Sequence, residues 1–282
     1  MLHSLLLAVA LSFTPNDANF AYSLTDAFVQ KCTPRDAGTI RGKIASNFIL
    51  DETSKLGADV RKDVFSAPTP KGLRQFTNLY CEFESNFNSN WVVLVSHYDT
   101  KPGVNCPGAN DGAASSALLI AMARVLINWQ TPRSNVMLIW TDGEECIQQY
   151  GENDGLWGSK KAAAALRESG RKVRAVICAD MIADADLHIS IPANGSTALS
   201  KIAVHAARRA GYPDLISLVP EHVKDDHVPF ADNDFRAIDL IDFEYGPGNA
   251  YWHTPQDSME NISRESLLKT GKVLAELLNI LL

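Results

Sequence analysis

The chain has 282 residues, 46% apolar and 21% charged, with 26 Lys+Arg against 33 Asp+Glu for a net charge of -7. That balance is globular, and the length is enough for one large α/β core. The acidic excess excludes a dense cationic field for a nucleic-acid backbone, and no apolar run reaches the ~20 residues of a spanning helix.

In chain order, residues 5–13 (LLLAVALSF) form a short apolar run followed by polar TPNDAN. This is the pattern of a secretory leader, so residues 1–22 are read as an export signal for a secreted or periplasmic protein. The plain alternative is a buried N-terminal segment. Thr33-Pro34 reads as an N-cap followed by proline at the first helical position, predicting a helix from there towards Leu56. Strands are expected at 60–65 and 76–83, and again at 91–96, where WVVLVS is continuously apolar as in a strand buried on both faces. A small-residue helix at 113–128 follows, then buried strands at 136–140, 173–179 and 237–241, with helices at 157–169, 197–210 and 263–281. No repeat or low-complexity linker divides the chain. The expected fold is α/β: a single doubly wound domain over residues 32–282, with a mixed, mostly parallel sheet flanked by helices.

Chemistry gathers where the buried runs end. WVVLVS ends in His97-Tyr98-Asp99, VMLIW leads into Asp142-Gly143-Glu144-Glu145, and AVICA closes on Asp180. Ligands of open α/β sheets bind at the carboxyl ends of strands, so three strands deliver His, Glu and Asp to one rim. Loops add Asp111 in GAND and His253 in YWHT. Each has a plain reading alone: a hydrogen-bonded histidine, a helix N-cap for Asp111, a solvated turn for the Glu pair. Asp180 resists one, because a carboxylate closing an apolar strand needs a partner or a cation. Imidazoles and carboxylates without thiols suit a catalytic zinc with an open position. The five cysteines (Cys32, Cys81, Cys106, Cys146, Cys178) contain no CxxC pair and allow at most one or two disulfides.

The ordered set His97, Asp111, Glu144-Glu145, Asp180 and His253 resembles the zinc-dependent M28 peptidase superfamily, which includes aminopeptidases and glutaminyl cyclases. The resemblance runs from about Cys32 to the C-terminus. It implies metal ligands Asp111, Glu145 and His253, a possible second metal on His97 and Asp180, and Glu144 as general base. Four details are similar to the cyclase branch: the long insertion between Glu145 and Gly158-Ser159, the DDHVPF loop from Asp225, Trp252 directly before His253, and Phe76 and Asn78 in RQFTNL. Animal cyclases have a disulfide at the positions of Ser96 and Ser116 and a histidine where this chain has Asp239, which suggests a bacterial-type member.

The cyclase reading implies a peptide substrate with a free N-terminal glutamine, cyclised to pyroglutamate with loss of ammonia and assisted by one zinc. Asp180 and Asp239 would orient the amine and the leaving nitrogen, and Trp252 and Tyr150 would wall the pocket. The aminopeptidase alternative uses two zinc ions sharing Asp111 and an external water. A non-catalytic binding domain is the third reading, disfavoured by the intact Glu144. Asn194-Gly195-Ser196 and Asn261-Ile262-Ser263 fit the N-glycosylation pattern.

Overall fold

The computed structural model describes residues 10–85, 89–129 and 134–281. Eight strands form one sheet in the order β1-β2-β4-β3-β5-β8-β6-β7. They are β1 Val60–Thr69, β2 Gly72–Phe83, β3 Asn90–His97, β4 Asn135–Thr141, β5 Lys172–Asp180, β6 Ile189–Ile191, β7 Ile216–Leu218 and β8 Ala237–Ile241. The central β4-β3-β5-β8 block is parallel, while β1, β2 and the β6/β8 junction are antiparallel. The mixed, mostly parallel doubly wound sheet is the one expected.

Side chains alternate across each strand, so the apolar runs must be covered twice. Val92, Leu94 and Leu138 pack under α1 (Pro15–Cys32), α2 (Ile40–Ser54), α3 (Ser115–Ile127), α5 (Thr197–Arg209) and α7 (Arg264–Leu281). Val93, Val95 and Ile139 face the other way, against α4 (Trp157–Ser169) and α6 (His227–Asp232). Helix α3 lies against the sheet because Ala117, Ala121 and Ala123 add almost no bulk, and Trp140 Nε1 donates to the Ser116 carbonyl at 3.1 Å. Together with the turn before it, residues 109–127 are long and apolar enough to cross a membrane, which the sequence reading had denied for any segment. They are 83% buried inside the fold and make a core helix.

The N-terminal region departs from the expected helix at Thr33-Pro34 and adds a helix before it. Residues 1–9 lie outside the described residues, but Leu11 and Phe13 are buried, and Leu11 exchanges two backbone hydrogen bonds with the Asn279 amide on α7. Helix α1 starts at Pro15 behind Thr14, with Ala18 and Ala21 buried, so residue 22 falls inside a packed helix. Pro34 opens no helix. The chain is irregular from Thr33, and α2 begins at Ile40, where Thr39 caps it by accepting from the Gly42 amide at 3.2 Å.

The irregular link contains Arg35, which is fully buried. Its guanidinium donates to the carbonyls of Tyr98 (2.6 Å), Pro107 (2.8 Å), Gly108 (2.6 Å) and Asp111 (3.0 Å). One side chain thereby satisfies four acceptors of a long loop that has no ladder of its own. Replacing it by methionine (Arg35→Met) keeps the bulk and strips those donors. The expected loss is about 3 kcal/mol, read as a lower urea midpoint with an unchanged slope. A midpoint equal to the parent's would show that these carbonyls find other partners.

Candidate metal centre and active site

Strand order locates the site. The chain passes from β3 to β4 on one side of β3, then crosses back to β5 on the other. The crevice between β3 and β5 is therefore the switch point of the sheet. His97 is the last residue of β3 and Asp180 the last of β5, so they stand on either side of it.

Asp111 ties the constellation together. His97 Nε2 lies 3.1 Å from Asp111 Oδ1 and 3.0 Å from Asp180 Oδ1. His253 Nε2 lies 2.7 Å from Glu145 Oε1 and 3.3 Å from Asp111 Oδ2. Two ligand groups result, His97/Asp111/Asp180 and Asp111/Glu145/His253, each with its donor atoms within 4.8 Å of one another. Each imidazole nitrogen faces two carboxylate oxygens at once, and a single proton cannot serve both. A divalent cation accepts all three lone pairs, and mixed imidazole and carboxylate donors suit it. Glu145 Oε2 agrees with this: it is buried without a hydrogen bond, with only the Lys101 ammonium 3.3 Å away.

Electrostatics point the same way. Burial and the neighbouring charges of Glu145 and Asp225 push Glu144 well above the usual carboxylate range. Burial and Asp111 raise Glu145, with His253 opposing, and burial raises Asp180 against the pull of His97. Burial works against ionisation of Asp111 too, yet hydrogen bonds from His253 and His97 hold it far below that range. Burial disfavours a charged His253, but Asp111 and Glu145 outweigh it and bring it to about 10. The site has more negative charge than its own cations balance.

The supports are backbone hydrogen bonds. Asp99 accepts from the amides of Gly143, Glu144 and Glu145 at 3.0, 3.1 and 3.2 Å, fixing the turn that aims the Glu pair. Gly143 has φ 75°, and a Cβ there would lie 2.8 Å from the Phe76 ring, so only glycine turns the chain there. Asp257 accepts from the Asn110 amide at 2.7 Å and the Asp111 amide at 3.3 Å, holding the same loop as Arg35. Asn78 joins β2 to the site by accepting from the Asp142 amide and donating to the Gly158 carbonyl. Ser96 and Ser116 oxygens are 3.3 Å apart, so the positions matching the animal disulfide do adjoin. All five cysteines are free.

The insertion after Glu145 folds back over the site. Asp154 accepts from the amides of Ile147, Gln148 and Gln149, closing it into a compact loop. The Tyr150 hydroxyl then donates to Glu144 Oε1 at 2.8 Å. Trp252 stacks on the His253 ring with centroids 4.1 Å apart. A cavity of about 260 Å³ is lined by Asp111, Glu144, Glu145, Asp180, Tyr150 and Trp252, among others. Two roomier hollows, beside Arg124 and beside Asp186, contain neither ligand group, so donor chemistry and not size identifies the site.

One expected site residue does not reach the cavity. Asp239 is fully buried two residues before the end of β8, and neither of its oxygens has a hydrogen-bond partner. The His227 imidazole lies 3.8 Å away through Nδ1, and burial lowers its pKa to about 4, so it offers no charge to balance the carboxylate. Asp225 lines the cavity, whereas Asp239 does not. In the sequence Asp225 is marked only by DDHVPF, and no motif marks Arg35 or Asp257. The HYD triplet was the one available signal, for Asp99.

Comparisons with known proteins agree with this geometry. A model described as Peptidase family M28 matches residues 78–278. A glutaminyl-peptide cyclotransferase of Drosophila melanogaster is 25% identical over 264 residues, spanning 83% of this chain and 73% of that protein. The crystal structure of an Acidobacteriales bacterium glutaminyl cyclase superposes with TM-score 0.90 at 30% identity, covering 100% of this chain and 99% of that one. A leucine aminopeptidase precursor from Bacteroides thetaiotaomicron shares the fold at TM-score 0.84 and 22% identity, covering 97% and 99%.

Proposed function

The chain belongs to peptidase family M28, and we propose that within it the protein is a zinc-dependent glutaminyl-peptide cyclotransferase. The observation that carries this reading is Glu144. It is buried in the cavity, belongs to neither ligand group, and is oriented through Oε1 by the Tyr150 hydroxyl of the folded insertion. Similarity to a glutaminyl cyclase over the whole chain supports it.

Asp111, Glu145 and His253 would hold one zinc, which when bound acts as a Lewis acid on the side-chain amide carbonyl of an N-terminal glutamine. Asp180 and Asp225 line the same cavity and orient the neutral α-amine of the substrate by accepting its N–H hydrogens. The α-nitrogen attacks the side-chain amide carbon, and Glu144 takes its proton. As the ring C–N bond forms, the bond to the amide nitrogen breaks, and Glu144 returns the proton to the departing ammonia. Trp252 and Tyr150 wall the cavity and exclude the water that would compete with the internal amine.

The aminopeptidase reading has one observation in its favour: the His97/Asp111/Asp180 group is complete, so a second zinc could share Asp111. Mass spectrometry of a Gln-initiated and a Leu-initiated peptide, each incubated with zinc-loaded protein, separates the two. Loss of ammonia from the Gln peptide alone is expected. Stepwise removal of N-terminal residues would replace the cyclase by the aminopeptidase, and no change in either peptide would overturn both. The apolar run at residues 5–13 supports a further proposal, that the protein is exported.

A further inference from the structure

The cavity changes sign from floor to mouth. Its floor is anionic, with Asp111, Glu144, Glu145, Asp180 and Asp225, whereas His222 and Lys224 line its exposed edge. These two belong to the segment between β7 and α6, and the residue between them is pinned. The Asn194 side chain accepts from the Val223 amide at 3.2 Å and donates to the Val223 carbonyl at 2.8 Å. Lys224 forms no ion pair with any described residue, so its charge is available. On a chain of net charge -7 such a lip is a local inversion.

Size decides what meets it. About 260 Å³ is below the ~300–1,000 Å³ of sites for drug-sized ligands, which leaves room for one amino-acid residue. With the first residue over the ligand groups, the second lies at the cavity's edge, where exposed His222 and Lys224 stand with Phe243. We infer that Lys224, with His222 beside it, is a specificity determinant that favours peptides with an acidic side chain directly after the cyclised residue. This rests on the cyclase reading. The carboxylate is attracted by the Lys224 ammonium, and a lysine at that place is repelled.

The test uses three amidated peptides that differ only at the second residue, Gln-Glu-Ala, Gln-Ala-Ala and Gln-Lys-Ala. Amidation removes the C-terminal carboxylate as a competing source of charge. For the parent, kcat/KM should favour Glu over Lys by roughly fivefold, as expected of an exposed charge pair, carried in KM and shrinking at high salt. In Lys224→Glu the order should invert, and in Lys224→Gln the two peptides should approach equality. Equal values in the parent, or an unaltered ratio in Lys224→Glu, would overturn the inference. If no peptide releases ammonia, the cyclase reading fails, and calorimetric binding of the same peptides then decides. Tighter binding of Gln-Glu-Ala than of Gln-Lys-Ala keeps the lip, and equal binding ends it.

Discussion

Glu144→Gln should lower ammonia release from a glutaminyl peptide by about 10²- to 10⁴-fold in kcat, the usual contribution of a positioned acid–base group, while zinc stays bound. The reasoning is geometric first. Glu144 faces the cavity yet stands outside both ligand groups, so exchanging its carboxylate for an amide removes no metal donor. Glutamine keeps the size, and its carbonyl oxygen can still accept from Tyr150, now 2.8 Å from Glu144 Oε1. What the amide cannot do is take a proton. Burial together with Glu145 and Asp225 makes Glu144 readily protonated for a carboxylate, the property a group needs if it must both accept and return a proton. KM should move little, because the variant preserves the shape of the pocket. Kinetics and metal analysis on the same sample decide the matter. Full activity would transfer the role to Asp180 or Asp225, the other carboxylates of the cavity that are not in the Asp111/Glu145/His253 group.

The sheet was legible because each central strand carries its own apolar run, and the rim because the polar residue ending each run has no apolar explanation. His97 and Asp180 stand at strand ends, where the pattern placed them. Asp239 deceived for a related reason. It lies in mid-strand between Ile238 and Leu240, which face the α3 side, so alternation sends its carboxylate down towards α4 and α6, below the rim. Arg35 left no signal. Its acceptors are 63 to 76 residues away, and a lone arginine in a polar segment has no periodicity to betray its partners. Helix α1 was hidden by a different ambiguity. Leu11 and Phe13 end a run that has the pattern of a leader, and their packing against α7 is a tertiary contact that no sequence pattern carries.

Removing His253 should have the largest effect on the metal, and the choice of substitute matters. His253 has φ 56°, in the left-handed region that most side chains avoid, so alanine would add backbone strain to the loss of a ligand. Asparagine tolerates that region, so His253→Asn isolates the imidazole. The residue is held there by the Trp252 ring stacked on its own, and strain kept in place by its surroundings is expected where a side chain must point at a ligand. Loss of an outer-shell partner already weakens metal binding by about 10- to 100-fold. Loss of a direct ligand should exceed that, and dialysed protein should keep no metal in the Asp111/Glu145/His253 group. Stoichiometry then separates the two mechanisms. If the parent carries a single zinc, the variant should fall to none. If it carries two, His97 and Asp180 would keep Asp111 as a shared ligand, and the variant should hold one. Retention of the parent's full complement would remove His253 from the ligand set. It would leave the 2.7 Å contact between His253 Nε2 and Glu145 Oε1 as a hydrogen bond and nothing more.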